Sequence, residues 1–192
     1  SLHFIPADEE WMILIDRKND LEIIVKHIST KTNFSGKYIQ SIEALEEFAK
    51  LIGFPEHALI LRKEEGSKEY IHKGIKDWNT LKQLYTKMKK AFGGTFVETD
   101  MRAMNNPTRM KIIEELTHKL VKKVNATCPS CNMPGFDVIR VNTGLPCMAC
   151  KSPTSSTLSL VKGCISCSHE ELIEYPNNKV EEDPMYCNYC NP

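Results

Sequence analysis

The chain has 192 residues and no net charge, with 25 Lys+Arg against 25 Asp+Glu, and 41% of its residues are hydrophobic. That composition excludes a disordered chain, and apolar runs such as Trp11–Ile15 fall far short of the ~20 residues that span a membrane. The length suits one sizeable domain and one small one.

Taken in order, Trp11–Ile15 and Leu21–Ile28 read as two strands joined by the polar turn Asp16-Arg17-Lys18-Asn19-Asp20, because the second run is β-branched and roughly alternating. Ser29–Lys37 reads as a solvated polar loop. Ser41 is placed to cap a helix from Ile42 to about Ile52. Ile42, Leu45, Phe48, Ala49 and Ile52 share its apolar stripe, and Gly53 ends it. His57–Arg62 reads as a buried strand, and Tyr70–Lys73 as its return after a charged turn around Gly66.

Asp77 caps a second helix, in which Trp78, Leu81, Leu84, Tyr85 and Met88 recur at helical spacing. Such a stripe belongs to a core rather than to a stacking platform. After Gly93-Gly94 comes a short strand, Thr95–Thr99. Asn106 and Pro107 then suit the cap and first position of a third helix reaching about Val124. Ile113, Leu116, Leu120 and Val124 form its apolar face, and Glu115 and Lys119 an i,i+4 pair. These segments make an α+β domain over residues 1–125, a mixed sheet with three helices.

Residues 126–192 are of another kind. All eight cysteines lie there, as four Cys-x-x-Cys pairs: Cys128/Cys131, Cys147/Cys150, Cys164/Cys167 and Cys187/Cys190. Two intervening residues let a tight turn aim both sulfurs at one metal, and tetrahedral zinc then takes a second pair. The expectation is a tandem tail of two small four-cysteine zinc ribbons, each with a structural ion, since four thiolates leave no open coordination position. Iron takes the same knuckles. Sequential pairing, the first pair with the second and the third with the fourth, fits the spacing best; a cross-braced pattern is the other arrangement. Reduced, metal-binding cysteines and no targeting segment place the chain in the cytoplasm.

Charge divides along the same line. Residues 128–192 hold four of the Lys+Arg and seven of the Asp+Glu, against 21 and 18 before them. A nucleic-acid backbone is gripped by clustered Lys and Arg, so the acidic ribbon half disfavours that partner, which stays an alternative only for the mildly basic first part.

Ahead of the third helix stands a polar constellation. Glu98, Asp100 and Arg102 alternate along an extended segment and so face one side; Asn105 follows, and Arg109 sits in the first helical turn. Carboxylates two apart can share Mg²⁺, while arginine forks and helix N–H groups bind phosphate. These residues point to a phosphate-bearing small molecule, with Glu98 and Asp100 toward metal and Arg102 and Arg109 toward phosphate. The competing reading is an ion pair that fixes the loop. The six histidines (His3, His27, His57, His72, His118, His169) are scattered and join no nucleophile–base set. His169, two residues past Cys167, reads as solvent-facing rather than as a further ligand.

The run Phe96-Val97-Glu98-Thr99-Asp100-Met101-Arg102-Ala103-Met104-Asn105-Asn106-Pro107-Thr108-Arg109-Met110 resembles the signature of a bacterial family known as domain of unknown function 6671. So do Cys128-Pro129-x-Cys131-x-x-Pro134-Gly135-Phe136, Gly144-Leu145-Pro146-Cys147-x-x-Cys150 and the ending Glu182–Pro192. The likeness covers essentially the whole chain and carries no assigned activity. It implies a further N-terminal portion ahead of Ser1, so that this chain is expected to be a fragment or a processed product. With that portion the family is weakly similar to house-cleaning nucleoside triphosphate pyrophosphatases, which implies a nucleotide and Mg²⁺ cleft of which this chain holds one part. The leading expectation is a zinc-stabilised protein binding a nucleotide or similar ligand, a metal-dependent hydrolase when complete. The alternative is a non-catalytic protein-interaction module.

Overall fold

A computed structural model describes residues 7–192. The chain divides into two compact units, one of Ser1–Met12 and Val25–Thr117, the other of Ile13–Ile24 and His118–Pro192. Strands β1 (Asp8–Asp16) and β2 (Leu21–Ser29) form a two-stranded sheet of their own. Among the described residues no helix is long and apolar enough to cross a membrane. His3 lies outside them.

The first unit is built on an antiparallel sheet in the order β3-β6-β4-β5, where β3 is Gly36–Ile39, β4 Leu59–Arg62, β5 His72–Ile75 and β6 Thr95–Thr99. β3 falls inside and just after the stretch read as loop. Only its last residue, Ile39, is buried, so no alternation marks it. β5 begins two residues later than Tyr70, because Tyr70 itself takes a positive φ in the turn. Helices α1 (Ile42–Leu51) and α2 (Trp78–Phe92) start where their caps require. Ser41 Oγ accepts from Ala44 N at 3.1 Å and Asp77 Oδ1 from Thr80 N at 2.8 Å.

Both helices press their apolar faces into one core with the sheet: Leu45, Phe48 and Ala49 from α1, Leu81 and Tyr85 from α2, Leu59, Leu61 and Val97 from the strands. Full burial of each leucine, valine or phenylalanine among them contributes about 1.5–3 kcal/mol. Leu81→Ala should therefore lower stability by about 2–5 kcal/mol, read as a drop in denaturant midpoint. Leu51→Ala, at a position 81% exposed on α1, should change it by less than about 0.5 kcal/mol.

Helix α3, Pro107–Asn125, follows a 3₁₀ turn at Ala103–Asn105. Its most buried residues are Ile112 and Leu116; Ile113, Leu120 and Val124, expected to share that face, are half-buried. Glu115 meets His27 at 3.4 Å.

The second unit holds the antiparallel sheet β7-β8-β9, with β7 Asp137–Thr143, β8 Thr157–Gly163 and β9 Glu170–Glu174. Asp137 stands opposite Gly163 and Thr143 opposite Thr157, while Gly163 also faces Glu170 and Ser159 faces Glu174. This register decides which cysteines can meet.

Candidate functional site

Each of the four knuckles is a tight turn of similar design. The N–H of Cys128, Cys147 and Cys164 reaches the carbonyl five residues on, at Met133, Ser152 and His169, in each case at 2.9 Å. The residue four past the first cysteine of these three, Asn132, Lys151 and Ser168, takes a positive φ. In the last knuckle Asn191 N donates back to Cys187 O at 2.8 Å. Two sulfurs of every pair are thereby turned to one side.

The knuckles assemble as Cys128, Cys131, Cys164 and Cys167, and as Cys147, Cys150, Cys187 and Cys190, with the four sulfurs of each set within 4.8 Å of one another. The pattern is cross-braced, which corrects the sequential pairing that spacing favours. The reason lies in strand direction. The first knuckle precedes β7 and the third follows β8, so antiparallel pairing brings both to one end of the sheet. The second follows β7 and the fourth follows β9, whose end lies near the start of β8, so both fall at the opposite end. Chain spacing cannot report this.

The sulfurs fit a tetrahedral metal. Four ligands ~2.3 Å from a tetrahedral centre stand ~3.8 Å apart. Cys128–Cys167 and Cys131–Cys164 are 3.6 Å apart, Cys147–Cys190 3.9 Å and Cys150–Cys187 3.5 Å. A disulfide would need about 2.05 Å, and all eight cysteines are free thiols.

Electrostatics point the same way. Cys164 is drawn down to about 6 by the N–H groups of Cys167 and Ser166. Cys150 is drawn down to about 6 by the hydroxyl and N–H of Ser152. Cys190 is pushed up to about 12, first by the Cys150 sulfur. At Cys131 the Met133 N–H pulls downward, but the Cys167, Cys164 and Cys128 sulfurs and burial together raise it to about 12. Sulfurs in contact cannot all hold negative charge alone; a divalent cation removes the conflict. His169 is not among either set. Its ring packs on Phe136 at 5.8 Å and its Nε2 lies 3.5 Å from Glu171.

In the first unit, Glu98, Asp100, Arg102 and Arg109 line a single concavity of about 300 Å³, together with Phe34 and Lys73. Asp100 is fully buried. Its Oδ2 accepts from Gly74 N (3.0 Å), Arg102 Nη2 (2.6 Å) and Asn105 Nδ2 (2.8 Å), and its Oδ1 from Arg102 N (3.1 Å) and Nε (2.9 Å). Burial alone would raise its pKa. The Arg102 guanidinium and N–H and the Asn105 amide outweigh that and hold the carboxyl below its usual value. Gly74 is required here: its φ is +71°, and a Cβ would stand 3.2 Å from Arg102 Nη2.

Asn105, placed beside the ligand residues by the sequence, braces Asp100 rather than forming part of the wall. Glu98 is paired with Arg62. Arg109 sets Nε on Glu10 Oε1 at 2.6 Å and Nη1 on Met101 O at 2.6 Å. Asn106 caps α3, accepting Arg109 N at 3.1 Å, and donates Nδ2 to Asn33 Oδ1 at 2.8 Å, which ties the segment carrying Phe34 to the helix start.

The carboxylates read as Mg²⁺ ligands thus hold arginine, and a cation would have to displace a guanidinium. Glu10, Arg62, Gly74, Phe34 and Lys73 had no signal in the sequence. Glu10 lies 99 residues before Arg109, and the others come from separate strands or loops.

A family model described as a domain of unknown function matches residues 1–192, the whole chain. The chain belongs to DUF6671. A search of the curated proteins and a search of the solved structures each return no match. The features this DUF6671 chain offers to a metal or a ligand are its two four-cysteine clusters and the arginine-lined concavity.

Proposed function

We infer that this DUF6671 chain is a zinc-stabilised binding protein of the cytoplasm whose first unit takes a small phosphate-bearing molecule such as a nucleotide. The zinc part is supported by the sulfur spacing, and the compartment by the gathering of all eight cysteines into two metal-competent clusters, a use of cysteine that suits a reducing environment. The observation that carries the ligand reading is the state of Arg102. Its Nε and Nη2 edge is fixed on Asp100, its side chain is half exposed, and among the described residues Nη1 has no partner, which leaves it for a ligand at the concavity. A carboxylate-held guanidinium is already oriented, so less freedom is lost when an anion arrives. Lys73 adds charge, and Phe34 an apolar wall.

Arg102, Arg109 and Lys73 bring positive charge to this concavity, which supports binding of an anion. Lys73 is exposed and gives the clean test. Titration of the zinc-loaded protein with pyrophosphate and AMP should saturate, and Lys73→Ala should weaken both by about tenfold, the worth of one charge-assisted hydrogen bond, with an unchanged melting temperature. Equal affinity in the variant removes the reading. Phosphate release measured with and without Mg²⁺ in the same samples distinguishes a hydrolase from a binder.

A second reading, a non-catalytic interaction module, has its own support. Met148, Met185, Tyr186 and Tyr189 lie exposed on the knuckles of the second cluster, and Met and Tyr are residue types enriched at interfaces.

A further inference from the structure

We propose a second small-molecule site at the other end of the four-stranded sheet, a slot for a purine or a comparable nitrogen-bearing aromatic ring. β3 and β6 run antiparallel, with Gly36 opposite Glu98 and Ile39 opposite Thr95. The arginine-lined concavity therefore opens where β6 ends, whereas Tyr38 at the end of β3 borders a separate cavity of about 440 Å³ shared with Phe92, Lys63 and Glu64. The two do not share a residue, and the second site does not depend on the phosphate reading.

Both aromatic walls are held in place. The Tyr38 ring lies against the bare Cα of Gly94, where a Cβ would come within 2.9 Å of the ring and 2.8 Å of Ile39 O. Phe92, the last residue of α2, is packed by Tyr70 with ring centroids 4.8 Å apart at 57°. Tyr38 is nevertheless 43% exposed, so its ring presents surface that the core does not use. Rings that are fixed and open to solvent bind flat ligands with little ordering cost, and any heteroaromatic ring has a face to stack.

The polar pair sets the chemical class. Lys63, whose Nζ stands 5.6 Å from the centre of the Phe92 ring, supplies a donor, and the Glu64 carboxylate an acceptor. Adenine carries the matching pattern, ring nitrogens that accept beside an amino group that donates. A purely aliphatic ligand would leave both charges unpaired, and a bare phosphate would meet Glu64.

The test uses the full-length, zinc-loaded chain and adenosine, which has the ring and no phosphate. Aromatic ¹H–¹³C spectra should show saturable shifts at Tyr38 and Phe92. Tyr38→Ala should weaken the fitted affinity by about tenfold, the typical loss of one base–aromatic stack, while Tyr38→Phe retains it. Octadenylate tested beside adenosine separates the two sources of such a ring. Much tighter, salt-dependent binding assigns the slot to a strand, and equal binding to a free nucleoside; both support the site. The proposal is overturned if no shifts arise at Tyr38 and Phe92 up to solubility, if Tyr38→Ala binds as well as the parent, or if the shifts fall at Phe34 and Lys73. Pyrophosphate binding that survives in Tyr38→Ala shows that failure here leaves the anion reading intact.

Discussion

Elemental analysis should return two zinc ions per chain, and a strong chelator should remove the order of the cysteine-bearing half. The effect is large because site assembly and folding are one process in such modules: structural zinc contributes about 10–16 kcal/mol of apparent binding free energy per site near neutral pH. Three strands of five to seven residues cannot replace that. Of the large apolar side chains there, few are fully buried, and Ile139, Val141, Ile165 and Leu172 are each more than half exposed.

The cross-braced pattern makes the outcome of substitution specific. Cys164→Ser with Cys167→Ser should release one metal and expose Cys128 and Cys131 to alkylation, with Cys147, Cys150, Cys187 and Cys190 still protected. Sequential ribbons would expose Cys187 and Cys190 instead. Mass spectrometry of the alkylated peptides separates the two. A metal content near zero in the parent chain would remove the clamp altogether.

Loss of Asp100 should be the most damaging single change in the first unit outside the apolar core. Asp100→Ala strips the acceptor from Gly74 N, Asn105 Nδ2 and three donors of Arg102. The buried donors cannot reach water, although the half-exposed guanidinium can. The net loss should be about 3 kcal/mol, read in the denaturant midpoint, together with pyrophosphate affinity. Acid sensitivity carries the sign of the lowered pKa. The carboxyl sits below 3.8 in the folded state, so its contribution is fully present above about pH 4 and lost as pH falls through its lowered value. Arg102→Gln removes the strongest influence holding it down. Burial is then less opposed, the pKa rises, and the acid midpoint of unfolding should move to higher pH. An unshifted midpoint would show that Arg102 does not hold the carboxyl.

Local signals were readable wherever the physics is local. Ser41, Asp77 and Asn106 cap helices because a side-chain oxygen satisfies an N–H only two or three residues away. Four Cys-x-x-Cys turns turn sulfurs together because the knuckle closes within five residues. Glu98, Asp100 and Arg102 do line one wall, but Thr99 and Met101 between them line it too and β6 ends at Thr99, so alternation along an extended chain does not account for their meeting. β3 was missed, since an edge strand with one buried residue leaves no period to detect.

By itself, then, the sequence determined the α+β class, three helices, the eight thiolates and the acidic–basic stretch before α3. Only the tertiary structure decided which knuckles come together and which partners each charge receives. Strand order places the first knuckle beside the third, and the fold brings Glu10 to Arg109, Arg62 to Glu98 and Gly74 to Asp100. Those choices depend on contacts between residues far apart in the chain, whose free energy is set by sheet register and burial, and no spacing along one strand encodes either.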